Sequence, residues 1–218
     1  RTTEQGVPLL LCDLDETILE RREALERWAT GFARDRGLPS GAVRAILDED
    51  HHGARTRPQF VEAVNHRLGL EPPLTLDYLR DYVACFTLDP DNAEALRRAR
   101  LTGWTIAIAS NGEQPQLDKI AVVGLSAYVD AVAVSAIDGV RKPDPGLLRI
   151  AAERAGASLE GSWMIGDDPL NDVQAARSAG IRSVWLRRGR TWPDGLEPPT
   201  RTAESFPAAV DLVLDSAP

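Results

Sequence analysis

Short apolar runs and helical patterns alternate along two parts of the chain, one at its beginning and one in its second half. The first run, 7–11, is continuously apolar, which is typical of a strand buried on both faces. Four similar runs follow after residue 100, and helical patterns separate them. Parallel strands need such crossovers, so the pattern predicts an α/β fold, a parallel sheet with helices on both faces. The later predicted strands are 104–110, 129–135, 163–166 and 183–186.

Special residues mark the ends of the helices predicted beside this sheet. Asp144 is the predicted N-cap of one helix, with Pro145 at its first position. Gly180 ends another helix, because glycine readily adopts the conformation that closes a helix. Residues 189–201 are rich in Pro, Gly and Arg and predict an irregular loop. The predicted helices are 91–101, 114–123, 145–155 and 171–179.

Between the first strand and the second, strand signals disappear and four helical patterns follow one another over residues 19–88. Ser40 is the predicted N-cap of the second helix, and Gly69 ends the third. Trp28 and Phe32 lie at helical spacing on the first helix, and we expect them in the core of this block. The pattern predicts a separate α-helical unit inserted directly after the first strand.

Composition narrows the function classes. Apolar residues make up 43% and charged residues 27% of the 218, as in ordinary globular proteins. The net charge of −8 argues against nucleic acid or an anionic membrane as a partner, and no apolar run approaches the roughly 20 residues of a membrane span. Cys12 and Cys85 show no metal-ligand spacing, so we expect both to be reduced and buried, in a cytoplasmic protein.

Two carboxylates stand at the end of the first predicted strand. Asp13 and Asp15 project to the same side, because side chains along a strand alternate with a period of two. Carboxylates this close repel each other and need a cation or a shared proton. In open parallel sheets ligands bind beyond the carboxyl ends of the strands. The pair therefore indicates a phosphoryl-transfer site, although a DxD sequence also occurs where a strand simply ends in a turn.

Polar residues follow two other predicted strands. Ser110 and Asn111 end the second strand, and Gly112 lets backbone N–H groups approach an anion. After the third strand, Pro143 keeps Lys142 extended and outside the next helix, so its ammonium can point into the cleft. Taken singly, these residues are also compatible with an ordinary turn and a surface lysine.

An acidic loop follows the fourth strand. It carries Asp167, Asp168 and Asp172 within six residues. Hard oxygen ligands on a short loop suit Mg²⁺, whereas a solvated acidic loop is the structural alternative. Each feature alone has a structural explanation, but their order at four successive strand ends favours one catalytic site over four unrelated local structures.

The motifs hhhhDxDxT, hhhhSN, KPDP and hGDxxxND, in this order, resemble the four signature motifs of the haloacid dehalogenase superfamily of hydrolases. The resemblance implies a Rossmann-like core formed by residues 1–18 and 89–218, with the first strand central. Residues 19–88 resemble the helical C1-type cap of that superfamily, which closes over the site.

The resemblance also implies roles for the motif residues. Asp13 would be the nucleophile, and Asp15 the acid that protonates the leaving group and the base that activates water. Mg²⁺ would be bound by Asp13, the main-chain carbonyl of Asp15, and Asp167. The other implied roles are Ser110, Lys142 and N–H groups near Asn111 binding phosphoryl oxygens, Thr17 bracing Asp15, Asp172 orienting a metal-bound water, and Asp168 neighbouring a ligand.

The predicted function is Mg²⁺-dependent hydrolysis of a small soluble phosphomonoester. A carboxyl at Asp15 argues against a dehalogenase, which needs no acid for a halide. The absence of lysine from residues 19–88 argues against phosphonate cleavage through a Schiff base. A phosphomutase of the same family and a non-catalytic binding or regulatory protein are the alternatives. The segment 51–57, with Arg55 and Arg57, is a candidate for binding the leaving group, or else a solvated loop.

Overall fold

The computed structural model describes residues 8–216, in which six strands form one parallel sheet. The strand order is β3-β2-β1-β4-β5-β6, so the first strand is central as predicted. The strands are β1 Leu9–Cys12, β2 Thr105–Ser110, β3 Ala131–Val134, β4 Trp163–Gly166, β5 Arg182–Leu186 and β6 Arg201–Ala203.

Continuous apolar sequence places β1 in the middle of the sheet. All four of its residues are buried, and Leu10 pairs with Ile106 on one side and with Trp163 on the other. Leu9 and Leu11 share a buried cluster with residues of the neighbouring strands and two helices. A strand that is apolar on both faces is stable only when both faces are covered, and helices cover them here.

The described residues divide into two compact units, which we name the sheet unit and the helical unit. The helical unit is Glu20–Thr87, and the sheet unit is the described sequence up to Leu19 and from Leu88 onwards. The α-helices are α1 Arg21–Asp35, α2 Ala42–Glu49, α3 Arg57–Leu68, α4 Tyr78–Val83, α5 Pro90–Leu101, α6 Pro115–Val122, α7 Ser135–Asp138, α8 Gly146–Arg154, α9 Ala175–Ser178 and α10 Phe206–Leu214.

The helical unit has its own aromatic core. Trp28 is 5% exposed, as predicted, and its ring stacks on that of Phe32 with centroids 5.1 Å apart. Phe32 itself is only half-buried. A buried ion pair also crosses this core, in which both guanidinium Nη atoms of Arg21 donate to the carboxylate of Asp50 at 2.9 and 2.7 Å. Such a pair is compatible with burial because each charge is hydrogen-bonded.

Two predicted helix caps are wrong. The N-cap of α2 is Gly41 and no side chain caps it, so Ser40 lies one residue too early to serve. Helix α8 begins at Gly146 with Pro145 as its N-cap, although Asp144 Oδ1 still accepts the Gly146 N–H at 2.7 Å. The first residue of a helix shifts by one or two positions with the local backbone geometry, which the sequence pattern does not fix.

The C-terminal part of the sheet unit was not predicted. Strand β6 has only three residues, two of them exposed, so it lacks the apolar run that identifies the other strands. Helix α10 follows, and Ser205 caps it through a hydrogen bond from the Ala208 N–H at 3.4 Å.

The two cysteines are free. Cys12 is buried, as predicted, whereas Cys85 is only half-buried. Within residues 8–216, none of the helices combines the length and apolar character that crossing a membrane requires.

Candidate active site

The carboxyl ends of the central strands bring the predicted motif residues together. Asp13 directly follows β1, and its N–H donates to the Ile165 carbonyl at 2.9 Å, so the ladder to β4 continues through it. Asp13 is 8% exposed, and Ser110, the last residue of β2, is 1% exposed. The sheet therefore fixes the backbone at both positions.

Lys142 joins two of the predicted acids. Its Nζ donates to Asp13 Oδ1 at 2.7 Å and to Asp172 Oδ1 at 2.6 Å, and the residue is 1% exposed. The side chain of Asn111 holds the Lys142 backbone from both sides. Its Oδ1 accepts the Lys142 N–H and its Nδ2 donates to the Lys142 carbonyl, each at 2.9 Å. The Asn111 side chain thus positions Lys142.

Asp13, Asp167 and Asp172 form an acidic cluster, in which one carboxylate oxygen of each lies within 4.8 Å of the others. Burial raises the pKa of Asp13 to about 7, although Lys142 opposes the shift. Burial likewise raises the pKa of Asp167 to about 8, and it also raises the pKa of Asp172. Three crowded carboxylates that resist ionisation are a donor set that a hard divalent cation fits.

The acidic loop is shaped by Gly166 and Asp168. A Cβ atom at Gly166 would lie 2.2 Å from Asp172 Oδ2, so only glycine leaves room for this carboxylate. Asp168 Oδ1 accepts the N–H groups of Leu170 and Asn171, both at 2.9 Å, and so caps the turn. In place of the predicted helix 171–179, the structure has a π-helical turn over Pro169–Gln174 followed by the short α9.

The carboxylate of Asp15 has different neighbours. Its two oxygens accept from Lys119 Nζ at 2.8 and 2.7 Å, and Oδ2 also accepts from Gln116 Nε2 at 3.1 Å. Sequence reasoning missed both partners, which lie on α6, more than a hundred residues further along the chain. One signal was present, since Lys119 and Lys142 are the only lysines in the sequence.

Two further observations concern the predicted bracing and metal residues. Thr17 is fully buried, and its Oγ1 has no hydrogen-bond partner among residues 8–216, so no bracing of Asp15 by this hydroxyl is observed. Arg190 was not predicted, yet its Nη2 donates to Asp167 Oδ2 at 3.0 Å and to the Asp167 carbonyl at 2.7 Å. This arginine balances part of the charge of the acidic cluster.

The arginines of the segment 51–57 are engaged within the helical unit. Arg55 Nη1 lies 2.9 Å from Glu49 Oε2, and the Arg57 guanidinium lies 5.4 Å from the ring centroid of Tyr82. Both guanidinium groups therefore interact with other residues of the helical unit.

This chain is similar to one hydrolase family and to proteins named as phosphatases. A family described as HAD-hydrolase-like matches residues 139–212. The chain is 30% identical over 206 residues to the glyceraldehyde 3-phosphate phosphatase of Methanopyrus kandleri, covering 84% of this chain and 85% of that protein. It is 38% identical over 105 residues to the phosphoserine phosphatase of Thermus thermophilus, covering 48% of this chain but only 42% of the relative.

Solved structures share the fold. The magnesium-bound HAD-hydrolase YfnB from Bacillus subtilis superposes with a TM-score of 0.74 at 20% identity, covering 96% of this chain and 99% of that one. At this identity the likeness concerns the fold alone. The chain therefore has a known α/β fold.

Proposed function

We propose that this chain, which belongs to the haloacid dehalogenase superfamily of phosphatase-type hydrolases, hydrolyses a small phosphomonoester through a phosphoryl group carried on Asp13. The observation that carries the proposal is the contact between Asp13 Oδ1 and Lys142 Nζ, 2.7 Å long and buried beside two further carboxylates. A carboxylate held in this way at the end of the central strand is fixed for in-line attack on phosphorus.

In the first step, an oxygen of Asp13 forms a bond to phosphorus as the bond from phosphorus to the ester oxygen breaks. The departing oxygen takes a proton from the carboxyl of Asp15, so that an alcohol leaves instead of an alkoxide. Asp15 suits this role because its side chain is the more accessible of the two, with 21% exposed against 12% for Asp13.

In the second step, water attacks the same phosphorus atom, and the Asp15 carboxylate takes its proton. The bond from phosphorus to the Asp13 oxygen breaks, which releases inorganic phosphate and restores both aspartates. Lys142 balances part of the negative charge spread over the phosphoryl oxygens, and the Ser110 hydroxyl donates a hydrogen bond to one of them.

The donor set fits Mg²⁺. Asp13 and Asp167, with the main-chain carbonyl of Asp15, would hold the ion, and Asp172 would orient a water bound to it. When bound, the ion offsets the repulsion between the acidic cluster and an incoming phosphate dianion. Burial and, to a smaller extent, neighbouring carboxylates raise the pKa of Asp13 and of Asp167, and a bound cation would stabilise the ionised form of both, which supports this assignment.

The substrate class is a small phosphate ester, such as those named for the relatives in Methanopyrus and Thermus. Residues 20–87 are proposed to act as the cap. A cytoplasmic location is proposed because both cysteines are free, as in most proteins of reducing compartments.

The test is release of inorganic phosphate from a panel of phosphomonoesters, measured with Mg²⁺ and with EDTA. We expect release that requires the metal, and the ranking of the esters identifies the substrate class. Absence of release from every ester with Mg²⁺ present would contradict the proposal. Transfer of the phosphoryl group to a second hydroxyl of the substrate would support a phosphomutase instead.

A further inference from the structure

The sequence uses lysine at two positions only. Of its 25 basic residues, 23 are arginines, and the two lysines are Lys119 and Lys142. Both are buried, with 0% and 1% exposure. Lys142 contacts Asp13 and Lys119 contacts Asp15, so each lysine is paired with one of the two aspartates that follow β1. Lysine, whose ammonium is more compact than a guanidinium, thus occurs only beside these two aspartates, and every other basic residue is an arginine.

The Lys119 ammonium donates to acceptors on two residues. An ammonium has three N–H donors. Among the acceptors of Nζ are the two Asp15 oxygens at 2.8 and 2.7 Å and Gln116 Oε1 at 2.6 Å. A planar guanidinium, which is wider and donates as a fork, could not converge on these three atoms in the same way.

Gln116 connects this pair to the phosphate-binding element. Its Nε2 donates to Asp15 Oδ2 at 3.1 Å and to Ser110 Oγ at 2.7 Å, while its Oε1 accepts from Lys119. Gln116 and Lys119 lie three residues apart on α6 and therefore point to the same side of this helix. Both are buried, at 4% and 0% exposure.

Gly112 makes the position of Gln116 possible. A Cβ atom at Gly112 would lie 2.5 Å from Gln116 Cγ and 2.9 Å from Gln116 Cδ, and both contacts are shorter than real Cβ atoms tolerate. The backbone after β2 is thus shaped to admit a buried amide. A glutamine placed only to fill space would not need this gap, because smaller apolar side chains pack a helix against a strand equally well.

We propose that Lys119 and Gln116 are positioning residues for Asp15, and that they hold its carboxyl group where it exchanges a proton with the leaving oxygen. The inference rests on the proposed phosphatase function. As the bond from phosphorus to the ester oxygen breaks and the bond to Asp13 forms, the Asp15 proton passes to the departing oxygen. Lys119 and Gln116 contact the Asp15 carboxyl group, and they act by fixing its position.

Leaving-group dependence separates this role from a merely structural one. The value of kcat/KM reports the steps up to formation of the phosphorylated enzyme, and a poor leaving group needs the proton whereas a good one does not. We would compare 4-nitrophenyl phosphate with phenyl phosphate in the wild type and in Lys119→Met. The ratio of the two kcat/KM values should rise at least about 10-fold in the variant, toward the ratio of Asp15→Asn.

Three further variants complete the experiment. Gln116→Met should raise the same ratio by a smaller factor, and it carries the test if Lys119→Met does not fold. Adding Lys119→Met to Asp15→Asn should change the ratio by less than about 2-fold, because the two residues act as one unit. Arg97→Met removes a basic residue from an exposed ion pair with Glu94 and serves as the matched control, with an unchanged ratio.

The outcomes are distinct. A wild-type protein that releases phosphate from neither aryl ester and from no other ester of the panel would contradict the phosphatase proposal itself. An active wild type whose folded Lys119 and Gln116 variants lose the same factor on both esters, or lose nothing, would overturn the positioning role alone. Selective loss on phenyl phosphate supports it.

Discussion

Lys142 Nζ lies 2.7 Å from Asp13 Oδ1, and the same ammonium donates to Asp172 at 2.6 Å. Lys142 is 1% exposed, so the three groups form a buried triad, whose net charge is −1 when both carboxylates are ionised. Removing one member of such a group leaves the others uncompensated in a poorly hydrated place. The geometry therefore couples the chemistry of Asp13 to the stability of the sheet unit.

Asp13→Asn should reduce phosphate release by at least about 10³-fold while the protein remains folded. The amide is nearly isosteric with the carboxylate but cannot act as the nucleophile. Release is measured with Mg²⁺ in excess, and far-ultraviolet circular dichroism confirms the fold. An activity within 10-fold of the wild type, about 1.4 kcal/mol, would rule out a phosphoryl group carried on Asp13.

Lys142→Met should lower the free energy of unfolding by about 3 kcal/mol in the presence of EDTA, because Asp13 and Asp172 then lose their shared cation. Urea denaturation measures the loss. Adding Asp172→Asn to Lys142→Met should restore part of the stability, since one of the uncompensated carboxylates is removed. If the double variant is no more stable than Lys142→Met, the triad is not the source of the effect.

Gly166→Ala should lower turnover more than about 10-fold, because the new Cβ would displace the Asp172 carboxylate, 2.2 Å away. Overpacking of this kind costs about 1–3 kcal/mol of stability. Gly31→Ala is the matched control. Gly31 lies within α1 with nothing within 4 Å of a Cβ, so this change should raise stability by about 0.5–1 kcal/mol and leave turnover unchanged. Equal effects of the two substitutions would contradict the assigned role of Gly166.

The metal-free protein should become less stable as the pH rises from about 5 to about 8.5. The folded pKa values of Asp13 and Asp167 are raised to about 7 and about 8, above the unfolded value of roughly 4. Over this interval the folded state binds more protons than the unfolded state, so the free energy of unfolding falls with pH. Each group that stays protonated in the folded state loses about 1.4 kcal/mol per pH unit, so the loss from the two groups should be of the order of several kcal/mol.

Denaturation in EDTA at several pH values measures this slope, and Asp13→Asn should flatten it. Adding Mg²⁺ should raise the unfolding temperature more at pH 8 than at pH 5.5, because metal binding requires ionised carboxylates. A stability that rises across the whole interval in EDTA would contradict the assigned burial of the acidic cluster.

The first five strands and the strand-end motifs were predictable because the responsible signals are local, whereas the central place of β1 was implied by the family resemblance. Continuous apolar runs identify β1 and β4, and the motif residues follow them directly, so their meeting at one edge of a parallel sheet follows from topology. Helix N-caps were less predictable. Ser40 was expected to cap α2, but the helix begins one residue later and its N-cap is Gly41.

The partners of Asp15 could not be predicted in the same way. Lys119 lies 104 residues from Asp15, and its position depends on where α6 lies in the fold, which no local pattern records. The two lysines in a chain of arginines were visible in the sequence, but only the distances give them partners. Arg190 is similar, since its contact with Asp167 comes from a segment predicted as an irregular loop.

The most direct test of the proposed mechanism is to trap the phosphorylated enzyme. The protein would be mixed with Mg²⁺ and its best ester, quenched in acid within one turnover, digested, and analysed by mass spectrometry. We predict the mass of one phosphoryl group on the peptide that contains Asp13, absent from the EDTA sample and from Asp13→Asn. A phosphoryl group on any other residue, or full-rate release of phosphate by Asp13→Asn, would contradict the mechanism.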